Sequence, residues 1–323
     1  MPYSTIVGHE QQISILTRAR AQERLAHAYL FAGPTGVGKR QVALALAQNL
    51  LCLEQTSCGH CSACQKMTSS NHPDLHLLDS SDGTIKIEHI RLMQQQLSLR
   101  PLEGNYRICL IDGAEEMTPA AANALLKTLE EPRPDTLLIL ITAQPESLLP
   151  TIRSRCQQLP FKRLPRFQLE TILQRKLGLK DDQIAVLAAL SDGSLNKALG
   201  RDNQLYLENR PKLIQSLSAL NTNSSIPVFA FAEDLAAKKE LLPEILGIFQ
   251  SFYRDILLLQ LGRTQQELIN LDLLETLQEH SRTLSTDSLL RKLEALESAR
   301  YHLQRNVNRQ LAMAVMLTRI AAA

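Results

Sequence analysis

A glycine-rich turn between a short apolar strand and a helix constrains this chain more than any other feature. Residues 33–39 read GPTGVGK and fit the pattern G-x-x-x-x-G-K, with Gly33, Gly38 and Lys39 at the fixed positions. The preceding HAYLFA predicts a buried strand, and the following KRQVALALAQNLL predicts a helix. Backbone N–H groups of such a turn can surround a phosphate, and the lysine can reach its outer oxygens. The segment therefore predicts a phosphate-binding loop.

Two more apolar runs in the first half predict buried strands. They are RICLI at 107–111 and TLLILIT at 136–142, with helical patterns between the strands. This alternation predicts an α/β fold with a parallel sheet flanked by helices. After about Pro160 the strand signals stop and helical patterns continue to the end. We predict three domains: an α/β domain over 1–162 that carries an insertion at 52–64, a small helical lid over 163–203, and an all-α bundle over 204–323.

Two apolar stripes in the last third predict the long helices of this bundle. Their members are Leu241, Ile245, Ile248, Phe252, Ile256 and Leu259 in one stripe, and Leu289, Leu293, Leu296, Leu303 and Val307 in the other. Stripes of this kind indicate core packing, and by themselves they do not indicate an assembly.

The residues around the predicted phosphate loop are incomplete for Mg²⁺. In ATPases of this kind a Ser or Thr follows the lysine, and its hydroxyl holds the metal. Here the residue is Arg40, whose fixed positive charge cannot coordinate a metal and would repel one. An Arg40 that pointed into solvent would matter little, but the hydroxyl is missing in either case. Asp112, at the end of the strand RICLID, keeps the usual position of a carboxylate that helps to hold Mg²⁺. We predict a degenerate nucleotide site in which binding of ATP and Mg²⁺ is doubtful.

A cluster of cysteines follows the helix after the phosphate loop. Its members are Cys52, Cys58, Cys61 and Cys64. Short C-x-x-C turns present two thiolates to one ion, so the cluster predicts a structural Zn²⁺ site with four cysteine ligands. A zinc module that recognises DNA is a weaker alternative. His60 and His72 are interpreted as outer-shell or surface residues, and Cys109 and Cys156 as small buried residues.

Composition excludes some functions. Lys plus Arg is 35 and Asp plus Glu is 33, a net charge of only +2, so any DNA contact is expected to be shared with partners. The absence of Trp and the aromatic content of 4% disfavour binding of single strands by stacked bases. The N-terminus shows no signal peptide, and no apolar run has the length of a membrane span, so we expect a cytoplasmic protein without membrane contact.

Several segments together resemble the clamp-loader branch of the AAA+ ATPases. They are IVGHEQQ at 6–12, HAYLFAGPTGVGK at 27–39, IDGAEEMT at 111–118, AANALLKTLEEP at 121–132 and TIRSRC at 151–156. The resemblance covers about residues 5 to 200, and the bundle matches more loosely through its length and NVNRQL at 306–311. It implies a hetero-pentameric ring with gamma or tau and delta subunits, in which the bundle forms a collar. Such a ring places a sliding clamp on primed DNA during replication, and this chain would be an accessory subunit of the DNA polymerase, a nucleotidyltransferase complex.

When the chain is compared with active members of this family, three positions are important for ATP hydrolysis. Active members carry a Glu where this chain has Gly113, and an Arg that touches the γ-phosphate where this chain has Asn196. Glu115 or Glu116 could replace the missing Glu only from the turn after the strand. Thr142 keeps the place of a polar residue that senses the γ-phosphate, although a threonine that simply ends a strand would look the same. We therefore predict a subunit that does not hydrolyse ATP by itself.

The triplet Ser154-Arg155-Cys156 completes the prediction. The resemblance implies that Arg155 projects to the γ-phosphate of ATP in the next subunit, as an arginine finger that acts in trans. Two alternatives are an ATP-hydrolysing subunit of the same family and a stand-alone zinc DNA-binding protein. Arg40, Gly113 and Asn196 argue against the first, and the near-neutral charge argues against the second.

Overall fold

The computed structural model of the chain describes residues 3–79, 83–200, 205–220, 226–305 and 307–323. The chain divides into two compact units, one formed by residues 1–168 with 194–196 and the other by 169–193 with 197–323. The predicted boundary between residues 203 and 204 lies outside the described residues, and the division into three domains stays a prediction.

A parallel sheet forms the centre of the first unit. Its five strands lie in the order β2-β3-β4-β1-β5. The strands are β1 Ala28–Ala32, β2 Leu75–Asp79, β3 Arg107–Asp112, β4 Thr136–Thr142 and β5 Gln157–Pro160. The α/β fold class and the three predicted strands are confirmed, with β1 beginning one residue later than predicted.

Strands β2 and β5 were not predicted, and their position explains why. Strands β1, β3 and β4 are covered on both faces, so nearly every side chain in them is buried and apolar. Strands β2 and β5 lie at the two edges of the sheet, and the sequences LHLLD and QQLP mix polar and apolar side chains. An edge strand of this kind lacks the continuous apolar run that marks an interior parallel strand.

Helices cover both faces of this sheet. They are α1 Glu10–Ala21, α2 Lys39–Leu51, α3 Ser62–Thr68, α4 Ile87–Leu97, α5 Pro119–Glu130 and α6 Pro150–Arg153. On one face α1 and α2 pack through side chains such as Leu16 and Leu46 onto Ile139 of β4. On the other face α4, α5 and α6 pack through side chains such as Leu125 and Ile152. The two apolar layers hold the sheet edge described next in a fixed position.

The carboxyl ends of β1, β3 and β4 lie side by side. Ala32 is paired in register with Thr142, and Asp112 with Ile141. The loop after β1, the end of β3 and the end of β4 therefore meet at one edge, which is where open parallel sheets bind their ligands.

After β5, the described residues form α-helices joined by loops and by short 3-10 and π-helical turns. The helices are α7 Arg166–Leu177, α8 Asp181–Leu190, α9 Leu195–Leu199, α10 Arg210–Ser218, α11 Ile226–Ala237, α12 Leu242–Gln260, α13 Leu274–Thr283, α14 Thr286–Gln304 and α15 Arg309–Ala322. The stripe of α12 is core, since Ile245, Ile248 and Ile256 are fully buried. The predicted stripe from Leu289 to Val307 extends too far, because α14 ends at Gln304 and Val307 lies beyond it. Among the described residues, no helix combines the length and hydropathy that a membrane crossing needs.

Candidate nucleotide site, arginine finger and cysteine cluster

The predicted phosphate loop has the backbone conformation that its glycines allow. Gly36 and Gly38 have φ angles of 77° and 108°, in the left-handed region that favours glycine. A Cβ on Gly36 would lie 2.1 Å from the hydroxyl oxygen of Ser194, so a larger residue would not fit. Helix α2 begins at Lys39, directly after Gly38. The loop therefore lies at a helix N-terminus, as the sequence predicted.

Lys39 folds back onto the loop. Its Nζ donates hydrogen bonds to the carbonyl oxygens of Gly33, at 2.5 Å, and Pro34, at 2.7 Å. Burial lowers the pKa of Lys39, and the nearby carboxylates of Glu115 and Asp112 oppose this shift. The lysine thus stabilises the curvature of the loop with groups of the chain itself.

Two further groups hold the loop from outside. The Nε2 of His9 donates to the carbonyl of Val37 at 2.7 Å, and the backbone N–H of Asn196 donates to the carbonyl of Gly36 at 3.2 Å. His9 belongs to the segment IVGHEQQ, but the sequence did not single it out, because the contact joins residues far apart in the chain. At the position of Asn196 the structure therefore shows a backbone contact with the loop.

Arg40 pairs with two carboxylates at the sheet edge. Its Nη1 lies 3.3 Å from Asp112 Oδ2 and 3.9 Å from Asp79 Oδ2. Asp79 ends β2 and is in register with Asp112 on β3, so the two carboxylates are neighbours. The interpretation of Arg40 as a residue that only points into solvent is wrong: its side chain is 46% exposed, but its charge lies against these acids. Asp79 was missed because β2 was missed.

At position 113, where active members of the family carry a glutamate, the backbone has a conformation that favours glycine. Gly113 has a φ of 78°, so a Glu at this position would be strained. Glu115 lies in the short 3-10 turn Ala114–Glu116, and its Oε1 accepts a hydrogen bond from the backbone N–H of Ala143 at 2.9 Å. Its Oε2 is buried and has no hydrogen-bond partner among the described residues. Glu115 and Glu116 both contribute to the lining of the site, Glu115 as a partly buried residue and Glu116 as an exposed one.

These residues surround a cleft of about 440 Å³. Thr35, Lys39, Arg40, Asp112, Glu115 and Thr142 contribute to its lining. Thr142 is buried, and its hydroxyl oxygen accepts a hydrogen bond from the backbone N–H of Gln144 at 3.0 Å. A hydroxyl can accept and donate at the same time, so this contact leaves its hydrogen for a ligand. The cleft brings together every residue that the sequence assigned to the nucleotide site except Gly33 and Gly38, which shape the loop.

Arg155 follows α6 at the surface. Its Nη2 lies 2.8 Å from Glu130 Oε1, and its Nη1 donates to the carbonyl of Thr151 at 3.2 Å. The side chain is 37% exposed. Ser154, the C-cap of α6, donates its hydroxyl to the same Thr151 carbonyl at 3.1 Å. Arg155 lies outside the chain's own cleft, as a residue that acts on a neighbour requires, but its role stays a prediction.

The four clustered cysteines converge on one point. The Sγ atoms of Cys52 and Cys58 are 3.7 Å apart, and Cys61 and Cys64 each have a 4.0 Å contact with one of them. A tetrahedral zinc with Zn–S bonds of about 2.3 Å requires sulfur atoms about 3.8 Å apart. The sulfur atoms of all four residues lie within 4.8 Å of one another. This cluster could hold a metal ion.

Backbone N–H groups support these sulfurs. The N–H of Cys61 donates to Cys58 Sγ, and the N–H of Cys64 donates to Cys61 Sγ, both at 3.4 Å. Burial raises the pKa of Cys52, but hydrogen bonds from backbone N–H groups, Cys58 first, outweigh it and bring that pKa to about 6. A thiolate is the form that binds metal, and the lowered pKa of Cys52 favours this form, whereas burial raises the pKa of Cys64 to about 11.

The other cysteine and histidine predictions had mixed outcomes. Cys109 and Cys156 are buried, as predicted, and burial raises the pKa of each thiol to about 12. His60 is exposed beside the cluster, where its Nδ1 lies 3.0 Å from the carbonyl of Cys58. His72 is neither a surface residue nor part of the cluster: it is 3% exposed, and its Nδ1 accepts a hydrogen bond from the N–H of Asp74.

The strand order and loop define the first unit as a phosphate-loop domain of the AAA+ type. A DNA polymerase III gamma-subunit-related protein from Thermotoga maritima has the same fold, with a TM-score of 0.51 and 21% identity over 95% of this chain and 98% of that one. The family model described as "DNA polymerase III, delta subunit" matches residues 8–165, and the model of its C-terminal part matches residues 204–322.

A similar protein of known identity shows which family of phosphate-loop proteins the chain belongs to. The DNA polymerase III subunit delta' of Bacillus subtilis is 34% identical over 304 residues, which are 92% of each chain. The chain therefore belongs to the family of the DNA polymerase III subunit delta', and the predicted family is confirmed. The tau subunit of Escherichia coli is 35% identical over 210 residues, but these are 62% of this chain and only 32% of tau.

Proposed function

We propose that this chain is a non-hydrolysing subunit of the DNA polymerase III clamp loader and that it donates Arg155 to the ATP site of a neighbouring subunit. Membership of the delta' family supports the assignment to this complex. The proposed partners are gamma or tau and delta subunits in a hetero-pentameric ring. The ring would place a sliding clamp on primed DNA.

The contact between Arg40 and Asp112 is the observation that carries the non-hydrolysing role. Asp112 is the carboxylate expected to hold Mg²⁺, and the Arg40 guanidinium lies 3.3 Å from it. Mg²⁺ needs oxygen ligands in an octahedral arrangement, which a guanidinium cannot supply. Binding of the metal would therefore require this cation to leave. Phosphoryl transfer depends mostly on positioning and on neutralising charge, so a site without the metal has little means to catalyse it.

The second support is that the glutamate expected directly after Asp112, where active members of the family position the attacking water, is missing. Gly113 has no side chain, and Glu115 is held by the N–H of Ala143. This hydrogen bond fixes the Glu115 carboxylate at the side of the cleft where β4 ends. Hydrolysis requires a metal and a water-positioning group, and in this chain a different residue works against each: Arg40 against the metal and Gly113 against the water-positioning group.

An ATP-hydrolysing subunit of the same family is the competing function. The retained Lys39 and the intact loop glycines favour it, as does the 35% identity with the tau subunit over 62% of this chain. The pairing of Arg40 with Asp112 and Asp79 argues against it, since it places a positive charge where the metal belongs.

The trans role of Arg155 is supported by its exposure and by its separation from the chain's own cleft. Arginine presents up to five N–H donors in a planar fork, which suits the oxygens of a phosphate. Among the described residues, the guanidinium makes its contacts through Nη1 and Nη2, and with five N–H donors it can still donate to a ligand.

The cysteine cluster is proposed to hold a structural Zn²⁺. Cys52, Cys58, Cys61 and Cys64 fit the ion by distance, by chemistry and by the support of backbone N–H groups. Four thiolates fill the coordination sphere, so the ion would order the segment and would bind no substrate. The segment is also tied to the domain through Arg20, which donates to Asn49 Oδ1 and to the carbonyl of Gln55.

Steady-state ATPase of the isolated chain and of a reconstituted loader tests this function. We expect background turnover for the chain alone. A loader that contains Arg155→Ala should assemble but load clamps poorly. Loss of an arginine finger slows ATP hydrolysis at the neighbouring subunit's site by about 10³-fold or more. Arg153→Ala is the matched control, since Arg153 is the last residue of α6 and pairs with Glu146. Brisk ATP turnover by the isolated chain, or unchanged loading with Arg155→Ala, would contradict the proposal.

A further inference from the structure

The guanidinium of Arg155 is held by a carboxylate from another helix. Glu130 is the last residue of α5, and its Oε1 lies 2.8 Å from Arg155 Nη2. The second contact, from Nη1 to the Thr151 carbonyl, comes from α6 itself. Two of the guanidinium nitrogens are therefore fixed by acceptors on two different elements.

We propose that Glu130 is the positioning residue of Arg155, which it orients toward the ATP site of the neighbouring subunit. This inference rests on the proposed trans role of Arg155. Glu130 lies in the segment AANALLKTLEEP, but the sequence did not connect it with Arg155, because the two residues are brought together only by the packing of α5 against α6.

One buried core holds α5, which ends at Glu130, and α6, which Arg155 follows. Leu125 and Leu129 of α5 and Ile152 of α6 belong to the same buried apolar cluster, together with Cys156. The backbone positions of Glu130 and of Arg155 are therefore set by one core. An ion pair between long side chains on fixed backbones restricts the arginine to few rotamers, whereas an unpaired arginine at the surface would sample many.

The remaining hydrogen-bonding capacity fits this role. A guanidinium has five N–H donors, and the described contacts are one hydrogen bond from Nη1 and one ion pair at Nη2. These two contacts leave donors for phosphate oxygens. Because arginine stays protonated at any physiological pH, Glu130 acts by placing the charge and not by changing its protonation.

A matched control lies next to Glu130. Glu131 is the C-cap of α5, is exposed, and has no ion pair with Arg155. Glu131→Gln removes the same charge at nearly the same place on the surface without touching the arginine. A difference between Glu130→Gln and Glu131→Gln therefore reports on the contact and not on the local net charge.

The test is DNA-stimulated ATPase of fully reconstituted loader, with kcat and KM measured for the wild type and for Glu130→Gln, Glu131→Gln, Arg155→Ala and the double variant Glu130→Gln/Arg155→Ala. The quantity of interest is the part of kcat that Arg155→Ala abolishes. We expect Glu130→Gln to lower this part about two- to fivefold, the rate equivalent of one exposed ion pair, with KM for ATP unchanged. Glu131→Gln should match the wild type, and Glu130→Gln should have no further effect when Arg155 is absent.

Each other outcome overturns the inference. If Arg155→Ala leaves loader ATPase unchanged, the proposed function fails and the inference falls with it. If Arg155→Ala lowers kcat but Glu130→Gln equals the wild type, or raises kcat, the function stands and the ion pair does not position the arginine. An effect of Glu130→Gln that persists in the Arg155→Ala background would show that Glu130 acts through another group.

Discussion

Arg40→Ser should convert the cleft into one that gains affinity for nucleotide when Mg²⁺ is added. The substitution restores a hydroxyl at the position that follows Lys39 and removes the cation that lies against Asp112 and Asp79. Both carboxylates then become available to a metal. The wild-type chain, by contrast, should show no strengthening of nucleotide binding by Mg²⁺.

The size of this effect follows from the distances. Two unit charges 3.3 Å apart interact by about 1.3 kcal/mol even at the dielectric constant of water. A divalent ion held by Asp112 at a similar distance from the guanidinium would be opposed by about twice that value. Removing Arg40 should therefore strengthen the Mg²⁺-dependent part of binding by about 2–3 kcal/mol, which is roughly a 30- to 150-fold change in Kd.

The assay is titration of ATP into the isolated chain by calorimetry, with Mg²⁺ and with excess EDTA. Arg40→Lys is the control, because it keeps the charge and should behave as the wild type does. ATP turnover should stay at background in Arg40→Ser, since Gly113 still supplies no water-positioning group. If Mg²⁺ affects Arg40→Ser and the wild type equally, the charge at position 40 does not decide metal binding and the reasoning is refuted.

Three further outcomes are expected. Cys61→Ser should remove bound zinc, measured by metal analysis of the purified chain, and lower its Tm, whereas Cys156→Ala should leave the zinc content unchanged. Burial lowers the pKa of His72, so its contribution to stability is complete above the unfolded pKa of about 6.5 and is lost as pH falls below it; urea unfolding at pH 7.5 and 5.5 should show a smaller acid loss for His72→Asn than for the wild type. Asp255→Ala should destabilise the chain by about 2–4 kcal/mol in urea unfolding, because the buried carboxylate accepts hydrogen bonds from two backbone N–H groups and the side chain of Asn270; a loss below about 0.5 kcal/mol would contradict this account.

Local patterns made part of the fold and site predictable. The strand, turn and helix around Lys39 are encoded within one short segment, because an interior parallel strand is apolar on both faces and the turn needs glycine. The cysteine cluster is equally local, since its ligands lie between residues 52 and 64. Strand β2 gave no such signal, because an edge strand that is half-exposed carries mixed side chains.

The functional contacts that the sequence missed join distant segments. Asp79 reaches Arg40 only because β2 pairs with β3 in a register that sets Asp79 beside Asp112. Glu130 reaches Arg155 only through the packing of α5 on α6. Neither the register nor the packing can be read from the spacing of these residues along the chain.

The sequence by itself determined which chemical groups the site contains: a lysine and glycines for a phosphate, an arginine in place of the metal-binding hydroxyl, a glycine in place of the glutamate, and four clustered thiols. The tertiary structure determined which ionic partners the charged groups have. It set the Arg40 guanidinium against two aspartates, and it fixed Arg155 against Glu130 outside the cleft. The physical reason is that a side chain's chemistry is a local property, whereas its ionic partner depends on strand register and core packing across the whole unit.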